Sequence, residues 1–340
     1  MTSFIQNMRQ FSLQNLYKFL AISFALPTYA EPIVIAHRGA PGYLPEHTLA
    51  SKTLAYAMRP DFIEQDVVLS RDGHLLILHD HHLDQVTDVA DKFPARARHD
   101  GRYYAIDFDL DEIKQLRVVE RFNHETKERF FPQRFPQGAS SFSVPTLEEE
   151  IELIQGLNQT LGYDVGIYVE IKNPQFHREE GVDISTKVLQ TLKQYGYDSP
   201  ASKAYVQCFD AEELKRIATR LMPELDMRLK LVQLIYQPLP KDFTQKDFDK
   251  MKQYADALGI NSDRIVQKGL KPDQFKLTGF VEQAHRYGLD VHVYTLRADE
   301  LPSYAQNFHD ALHVLIKKAK VDGLFTDFPD QTRQFIFKSS

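Results

Sequence analysis

Eight short apolar or β-branched runs recur along the chain with amphipathic stretches between them, and no other feature narrows the possible folds as far. The runs are 33–37, 62–66, 165–171, 204–208, 228–233, 255–260, 290–295 and 322–325. Helical periodicity occupies 49–57, 148–157, 185–195, 211–221 and 279–287. Strands alternating with helices predict a parallel sheet, because parallel neighbours need a long crossover and a helix supplies it. Eight such strands predict an α/β fold, a distorted TIM (β/α)8 barrel. A doubly wound open sheet is the alternative, but no Gly-rich nucleotide fingerprint follows the first run. The 340 residues, 43% of them hydrophobic, suit one large barrel with a sizeable core.

Two stretches interrupt the alternation. Residues 67–70, a turn at Arg71-Asp72-Gly73, and 75–79 read as a β-hairpin. A turn there pairs Ser70 near Leu75 and Asp66 near His79, which returns His79 to the end of the second strand. Residues from about 80 to 144 are rich in charge, Pro, Phe and Tyr, with little periodicity beyond a short helix near 110–116. They are expected to form a small inserted subdomain over one barrel loop. Thr146 and Glu149 then have capping-box spacing and restart the helices.

Residues 1–30 contain Arg9 and Lys18 but no acidic residue, then the apolar run 19–26 and Thr28-Tyr29-Ala30. That order reads as a signal peptide cut after Ala30, leaving 31–340 as the barrel domain of a periplasmic or secreted protein. An amphipathic N-terminal helix is the other reading. The apolar run is too short to span a membrane. A net charge of −6 argues against nucleic acid as the partner but leaves room for a small phosphate substrate. The single cysteine, Cys208, excludes an intramolecular disulfide. Oligomeric state is not legible.

Candidate chemistry sits at strand ends. Glu64 and Asp66 lie two apart and so share one strand face. Paired carboxylates repel unless a cation binds them, and a hard ion with oxygen ligands satisfies them. A solvated edge strand with polar alternation would read the same way. Glu170 and Lys172 repeat the arrangement, either as a third ligand with a phosphate-balancing cation or as an internal ion pair. His37 and Arg38 end the first strand, followed by Gly39-Ala40-Pro41-Gly42 and Pro45-Glu46-His47-Thr48. His79-Asp80-His81-His82 is either a metal-binding cluster or one catalytic imidazole with neighbours. His37 and His79 are suited to give and take protons on opposite sides of a phosphorus atom. Three carboxylates without thiolates favour Ca²⁺, with Mg²⁺ as the alternative. Phe209 and Tyr294, near strand ends, are either packing groups for substrate carbons or rim aromatics.

In combination, Ala36-His37-Arg38-Gly39-Ala40, Pro45-Glu46-His47-Thr48, Glu64-Gln65-Asp66, His79-Asp80 and Glu170-Ile171-Lys172 resemble the glycerophosphodiester phosphodiesterase family, in the family's order. Gln207–Asp210, Val293–Arg297 and Asp322–Pro329 extend the likeness. The segment with Thr87–Ala90 and Asp100–Tyr104 looks like the family's periplasmic bacterial branch. The resemblance implies a TIM barrel that hydrolyses glycerophosphocholine, glycerophosphoethanolamine and similar diesters to glycerol 3-phosphate and an alcohol. It implies His37 and His79 as the acid/base pair and Glu64, Asp66 and Glu170 as ligands to one divalent cation. Arg38 would contact phosphate, and Lys172 would add positive charge beside it. Three departures stand out, one of them a shorter tract before Ala255, on the expected leaving-group side. His47 replaces the usual Asn, with an expected effect on loop support more than chemistry. Arg59-Pro60 replaces a Gly-containing turn. A lysophospholipid phosphodiesterase, a non-catalytic surface-binding protein and a two-carboxylate glycosidase are the rival readings. The last leaves the histidines and Lys172 without roles.

Overall fold

The predicted parallel strands close on themselves. A computed structural model describes residues 31–136, 138, 140–236, 244–269 and 274–339; the expected signal peptide at 1–30 lies outside them. In chain order the strands are β1 (Ile33–Ala36), β2 (Phe62–Leu69), β3 (Leu75–Ile77), β4 (Gly166–Ile171), β5 (Ala204–Cys208), β6 (Lys230–Leu234), β7 (Ala257–Asn261), β8 (Val266–Lys268), β9 (Phe275–Leu277), β10 (Asp290–Leu296) and β11 (Gly323–Thr326). Parallel pairing runs β1-β2-β4-β5-β6-β7-β10-β11 and returns to β1, which makes an eight-stranded barrel. β8 and β9 form a separate antiparallel pair. Helices fill the crossovers as the periodicity requires, including Leu49–Ala57, Leu147–Leu161, Ile184–Gln194 and Phe280–Arg286. Leu147–Leu161 begins with the capping box, Thr146 and Glu149 each receiving the other's backbone N–H.

The hairpin forms, but its register differs by one residue from the expected one. β3 runs antiparallel to β2 with Leu69 opposite Leu75 and Val67 opposite Ile77. Asp66 therefore faces Leu78, whose N–H donates to the Asp66 carbonyl at 3.0 Å, and His79 lies one place beyond the pair. The cause is the turn. Ser70 N–H donates to the His74 carbonyl, so the loop is only Arg71–Gly73 and the return strand pairs from His74, one residue earlier than expected.

Alternation along the strands decides what fills the barrel. Ile35, Phe62, Tyr168, Tyr205, Val232, Ala257 and Phe325 point inward and pack into one cluster. Tyr168 stacks on Tyr205 at 4.8 Å, and its hydroxyl lies 2.7 Å from His292 Nδ1. These side chains occupy the axis below the site. The next inward residues along the same strands are Glu64, Glu170, Gln207 and Leu234. The outward faces of the strands pack under the helices in the main apolar core.

One buried ion pair ties that outer layer to the site. Lys52, on Leu49–Ala57, is fully buried, lies 2.7 Å from Glu150 and also donates to the Glu64 backbone carbonyl. Glu150 accepts a second bond from Gln65 at 2.8 Å. Lys52→Met would strand Glu150 as an uncompensated buried acid and cost about 3–5 kcal/mol. Urea unfolding checks this, and the Lys52→Met/Glu150→Leu double variant should recover most of the loss. An unchanged single-variant midpoint would refute the account.

The segment between β3 and Leu147–Leu161 lies on the outer side of the β2–β3 hairpin. Val68, Leu76 and Leu78 from the hairpin pack with Leu83, Val86, Tyr103, Phe108, Ile113 and Val118. Its regular structure is short: Val89–Lys92, Pro94–Arg96, Ala105–Asp107 and Leu110–Ile113.

Candidate active site

All nine residues singled out from the sequence come to the C-terminal mouth of the barrel. His37, Arg38, Glu64, Asp66, His79, Glu170, Lys172, Phe209 and Tyr294 line one cavity of about 310 Å³. That end carries the functional groups in barrels of this kind, because the strand-to-helix loops converge there.

The carboxylates form a crowded cluster. Glu64 and Asp66 are both 1% exposed, and Glu170 is 7% exposed. Lys172 Nζ is 2.6 Å from Glu170 and 3.6 Å from Asp66. Burial, then the charges of Asp66 and Glu170, push the Glu64 carboxyl well above its ordinary range. Burial also raises Glu170, to about 7, against the pull of Lys172. Burial alone would raise Asp66 too, but Lys172, His79 and His47 outweigh it and hold it well below the usual value. Burial thus favours the protonated form of Glu64 and Glu170, while Asp66 is held as the anion. Asp66 Oδ1 is buried with no hydrogen-bond partner. An orphaned carboxylate oxygen among three acids fits a hard divalent cation.

His47 reaches further than loop support. Its Nε2 is 2.7 Å from Asp66 Oδ2, and one ligand atom each from His47, Glu64 and Asp66 lie within 4.8 Å of one another. Its backbone sits at φ +61°, in the left-handed region that Asn adopts more readily than His. Arg38 is also left-handed, at φ +52°, followed by Gly39 at +99°. This bend points the Arg38 N–H at Glu64 Oε2, 2.7 Å away. A Cβ on Gly39 would lie 2.7 Å from Ser51 Oγ, so only glycine lets the loop sit down on the first helix. Arg59 takes the position of the usual glycine turn at φ +58° and lays its guanidinium over Tyr163.

Each histidine is held by an acid. His37 Nδ1 is 2.6 Å from Asp327 Oδ1, and His79 Nδ1 is 2.9 Å from Asp80 Oδ1. Burial and the Arg38 charge lower both imidazoles to about 4. They are neutral at pH 7, so Nδ1 carries the hydrogen donated to the acid and Nε2 keeps its lone pair. Asp327 is in turn held well below its ordinary range by His37, Arg297 and Arg134, against the opposing effect of burial. Arg38 Nη1 donates to Glu46 at 3.1 Å. Phe209 stacks on Tyr236 at 4.4 Å, and the Tyr294 hydroxyl donates to the Ile235 carbonyl at 2.6 Å.

Several lining residues were not singled out. Gln207, Asn261, Thr295 and Arg297 face the same cavity. Asp327 and Arg297 lie inside stretches that carry the motif likeness, but sequence separation hides the pairing of Asp327 with His37. No local signal marks Arg121 or Arg134.

The family model described as the glycerophosphoryl diester phosphodiesterase family matches residues 37–331. The chain is 46% identical over 330 residues to a glycerophosphodiester phosphodiesterase of Haemophilus influenzae, covering 90% of each chain. It is 39% identical over 330 residues to one of Treponema pallidum, covering 91% of this chain and 93% of that one. Among solved structures, an Oleispira antarctica phosphodiesterase in complex with the product sn-glycerol-3-phosphate superposes with TM-score 0.59 at 24% identity, over 90% of this chain and 97% of the other. A Thermotoga maritima glycerophosphodiester phosphodiesterase gives 0.56 at 18% identity, over 90% and 98%. At those identities the structures speak for the fold.

Proposed function

Because the chain belongs to the glycerophosphoryl diester phosphodiesterase family, and is an enzyme of that kind, we propose that it hydrolyses glycerophosphocholine, glycerophosphoethanolamine and related diesters by histidine acid/base catalysis beside one divalent cation. The observation that carries the reading is the convergence of two acid-braced neutral imidazoles, His37 and His79, on a cavity that also holds three carboxylates, Arg38 and Lys172.

Glu64, Asp66 and Glu170 would hold the ion; the ligand atoms gathered within 4.8 Å of one another are those of Glu64, Asp66 and His47, and Glu170 Oε1 accepts from Lys172. Ca²⁺ suits an all-oxygen set of this size, and Mg²⁺ is the alternative. When bound, the cation neutralises charge on the phosphate's non-bridging oxygens. The chain's own groups do the rest. Arg38 and Lys172 orient the phosphate and add positive charge on its flank. One imidazole removes a proton from the nucleophile, water or the glycerol hydroxyl next to the phosphate. The other returns a proton to the departing alkoxide. Asp327 and Asp80 keep each Nε2 facing the reacting atoms. Phe209 and Tyr294 pack the glycerol carbons. The product named in the Oleispira antarctica complex supports a glycerophosphate subsite. Among the described residues no helix is long and apolar enough to cross a membrane.

Asp327→Ala removes the acceptor for His37 Nδ1–H and frees the ring to rotate. The expected loss is about 10–10²-fold in kcat, the usual size for removing a partner that orients a functional imidazole. Steady-state kinetics with folded, purified variant checks it, and wild-type kcat would remove Asp327 from the reading. The function itself is tested by glycerol 3-phosphate release from a panel of glycerophosphodiesters, with lysophosphatidylcholine alongside. Faster turnover of the lysophospholipid would overturn the substrate assignment.

A further inference from the structure

The segment that follows the hairpin sends two side chains that sequence patterning does not mark, Arg121 and Arg134, to the acids behind the histidines. Arg121 Nε and Nη2 clasp the Glu46 carboxylate at 3.0 and 2.6 Å, and its Nη1 donates to Asp80 Oδ2 at 2.6 Å. Each acceptor already holds a residue of the site. Glu46 accepts from Arg38 Nη1, and Asp80 Oδ1 is paired with His79 Nδ1. A single guanidinium thus fastens, through two carboxylates, the cation facing the phosphate and one of the two imidazoles. Its planar fork is needed for this, because a lysine ammonium cannot present a bidentate edge and a third donor to acids on two sides.

The two histidines are not braced alike. Asp327, behind His37, accepts at Oδ2 from both Arg134 at 2.8 Å and Arg297 at 2.9 Å. Asp80 has only Arg121 among the described residues as a cationic partner at its second oxygen. Losing Arg134 leaves Asp327 with Arg297, whereas losing Arg121 leaves Asp80 and Glu46 with no shared cation.

We propose that Arg121 is a positioning residue that sets Arg38 and His79 relative to each other, so that the inserted segment completes the active site. This rests on the roles given above to Arg38 and His79. Without Arg121, Glu46 draws Arg38 away from the phosphate, which raises KM. Asp80 is released at the same time, and with it the orientation of His79, which lowers kcat. The two arms of the guanidinium therefore affect different kinetic constants.

The experiment is a cycle of Arg121→Ala, Asp80→Asn and the double variant, assayed on glycerophosphocholine with the cation-loaded full chain. Arg121→Ala should lower kcat/KM about 10–10²-fold, divided between kcat and KM. In the Asp80→Asn background the kcat loss from Arg121→Ala should shrink to about threefold or less, while the KM rise persists. Guanidinium ion below denaturing concentration should restore part of the activity of Arg121→Ala, and Arg121→Lys should recover one constant more than the other. Because two buried acids that lose their shared cation can unfold the chain, circular dichroism and thermal melting accompany each variant, and Arg121→Lys, which keeps the charge, serves where the alanine variant does not fold. Additive losses in the cycle, or Arg121→Ala and Arg121→Lys both within twofold of wild type, overturn the proposal. A parallel His79→Ala variant separates the levels. If it is inactive while Arg121 variants are normal, only the present inference falls. If His79→Ala is fully active, the assignment beneath it falls.

Discussion

Alanine at His37 or at His79 lowers kcat on glycerophosphocholine by about 10²–10⁴-fold, the range for loss of a positioned general acid or base. The geometry makes both losses large. Each ring is anchored at Nδ1 by an ionised carboxylate, so Nε2 is the atom left to exchange protons with the substrate. Water admitted into the space left by alanine has no such anchor. KM should move much less than kcat, since phosphate binding falls to Arg38, Lys172 and the cation. The double alanine variant should be little worse than the weaker single one, because an acid without its base no longer supports a concerted transfer. Steady-state release of glycerol 3-phosphate, with circular dichroism to establish folding, reads all three enzymes. Retention of more than a tenth of wild-type kcat by His37→Ala would defeat the acid/base assignment.

Removal of the cation should be as damaging. Dialysis against a chelator is expected to lower activity by about 10²–10³-fold, and added Ca²⁺ to restore it. A second readout does not depend on turnover. Glu64 and Glu170 have carboxyl pKa values raised in the folded chain, Glu170 to about 7. For an acid raised on folding, the associated stability is fully present below the unfolded value near 4.5 and is lost as pH rises through the folded value. The cation-free protein thus loses this contribution between about pH 4.5 and 7, as the acids ionise against one another. A bound divalent ion relieves that repulsion at pH 8, whereas at pH 5 it must first displace protons. The rise in Tm on adding Ca²⁺ should therefore be several degrees larger at pH 8 than at pH 5. Asp66→Asn, which removes the carboxylate with the orphaned oxygen, should abolish it. Equal shifts at both pH values, or a full shift in Asp66→Asn, would count against a cation at this cluster.

What was legible in the sequence depended on the range over which the relevant physics acts. The barrel could be read because strand and helix periods are local. Glu64 with Asp66, and Glu170 with Lys172, could be read as facing pairs because spacing by two puts side chains on one strand face. The hairpin was visible, but its register turned on the Ser70–His74 closure, which a turn motif alone does not decide. His47 looked like a supporting residue because its spacing in Pro45–Thr48 says nothing of Asp66, 19 residues later. The acids behind the histidines illustrate the two extremes. Asp80 is adjacent to His79, whereas Asp327 lies 290 residues from His37 and becomes its neighbour only because β11 closes the barrel beside β1. Arg121 and Arg134 were invisible for a related reason: the segment that carries them has almost no periodicity, and their partners are up to 193 residues away.

The aromatic filling below the site has a consequence for traffic. Phe62, Tyr168, Tyr205 and Phe325 plug the barrel axis, so among the described residues exchange with solvent is left to the C-terminal mouth. Diester, alcohol and glycerol 3-phosphate must all use it. Glycerol 3-phosphate that accumulates should therefore compete with the arriving diester for the same mouth, which product-inhibition kinetics would read.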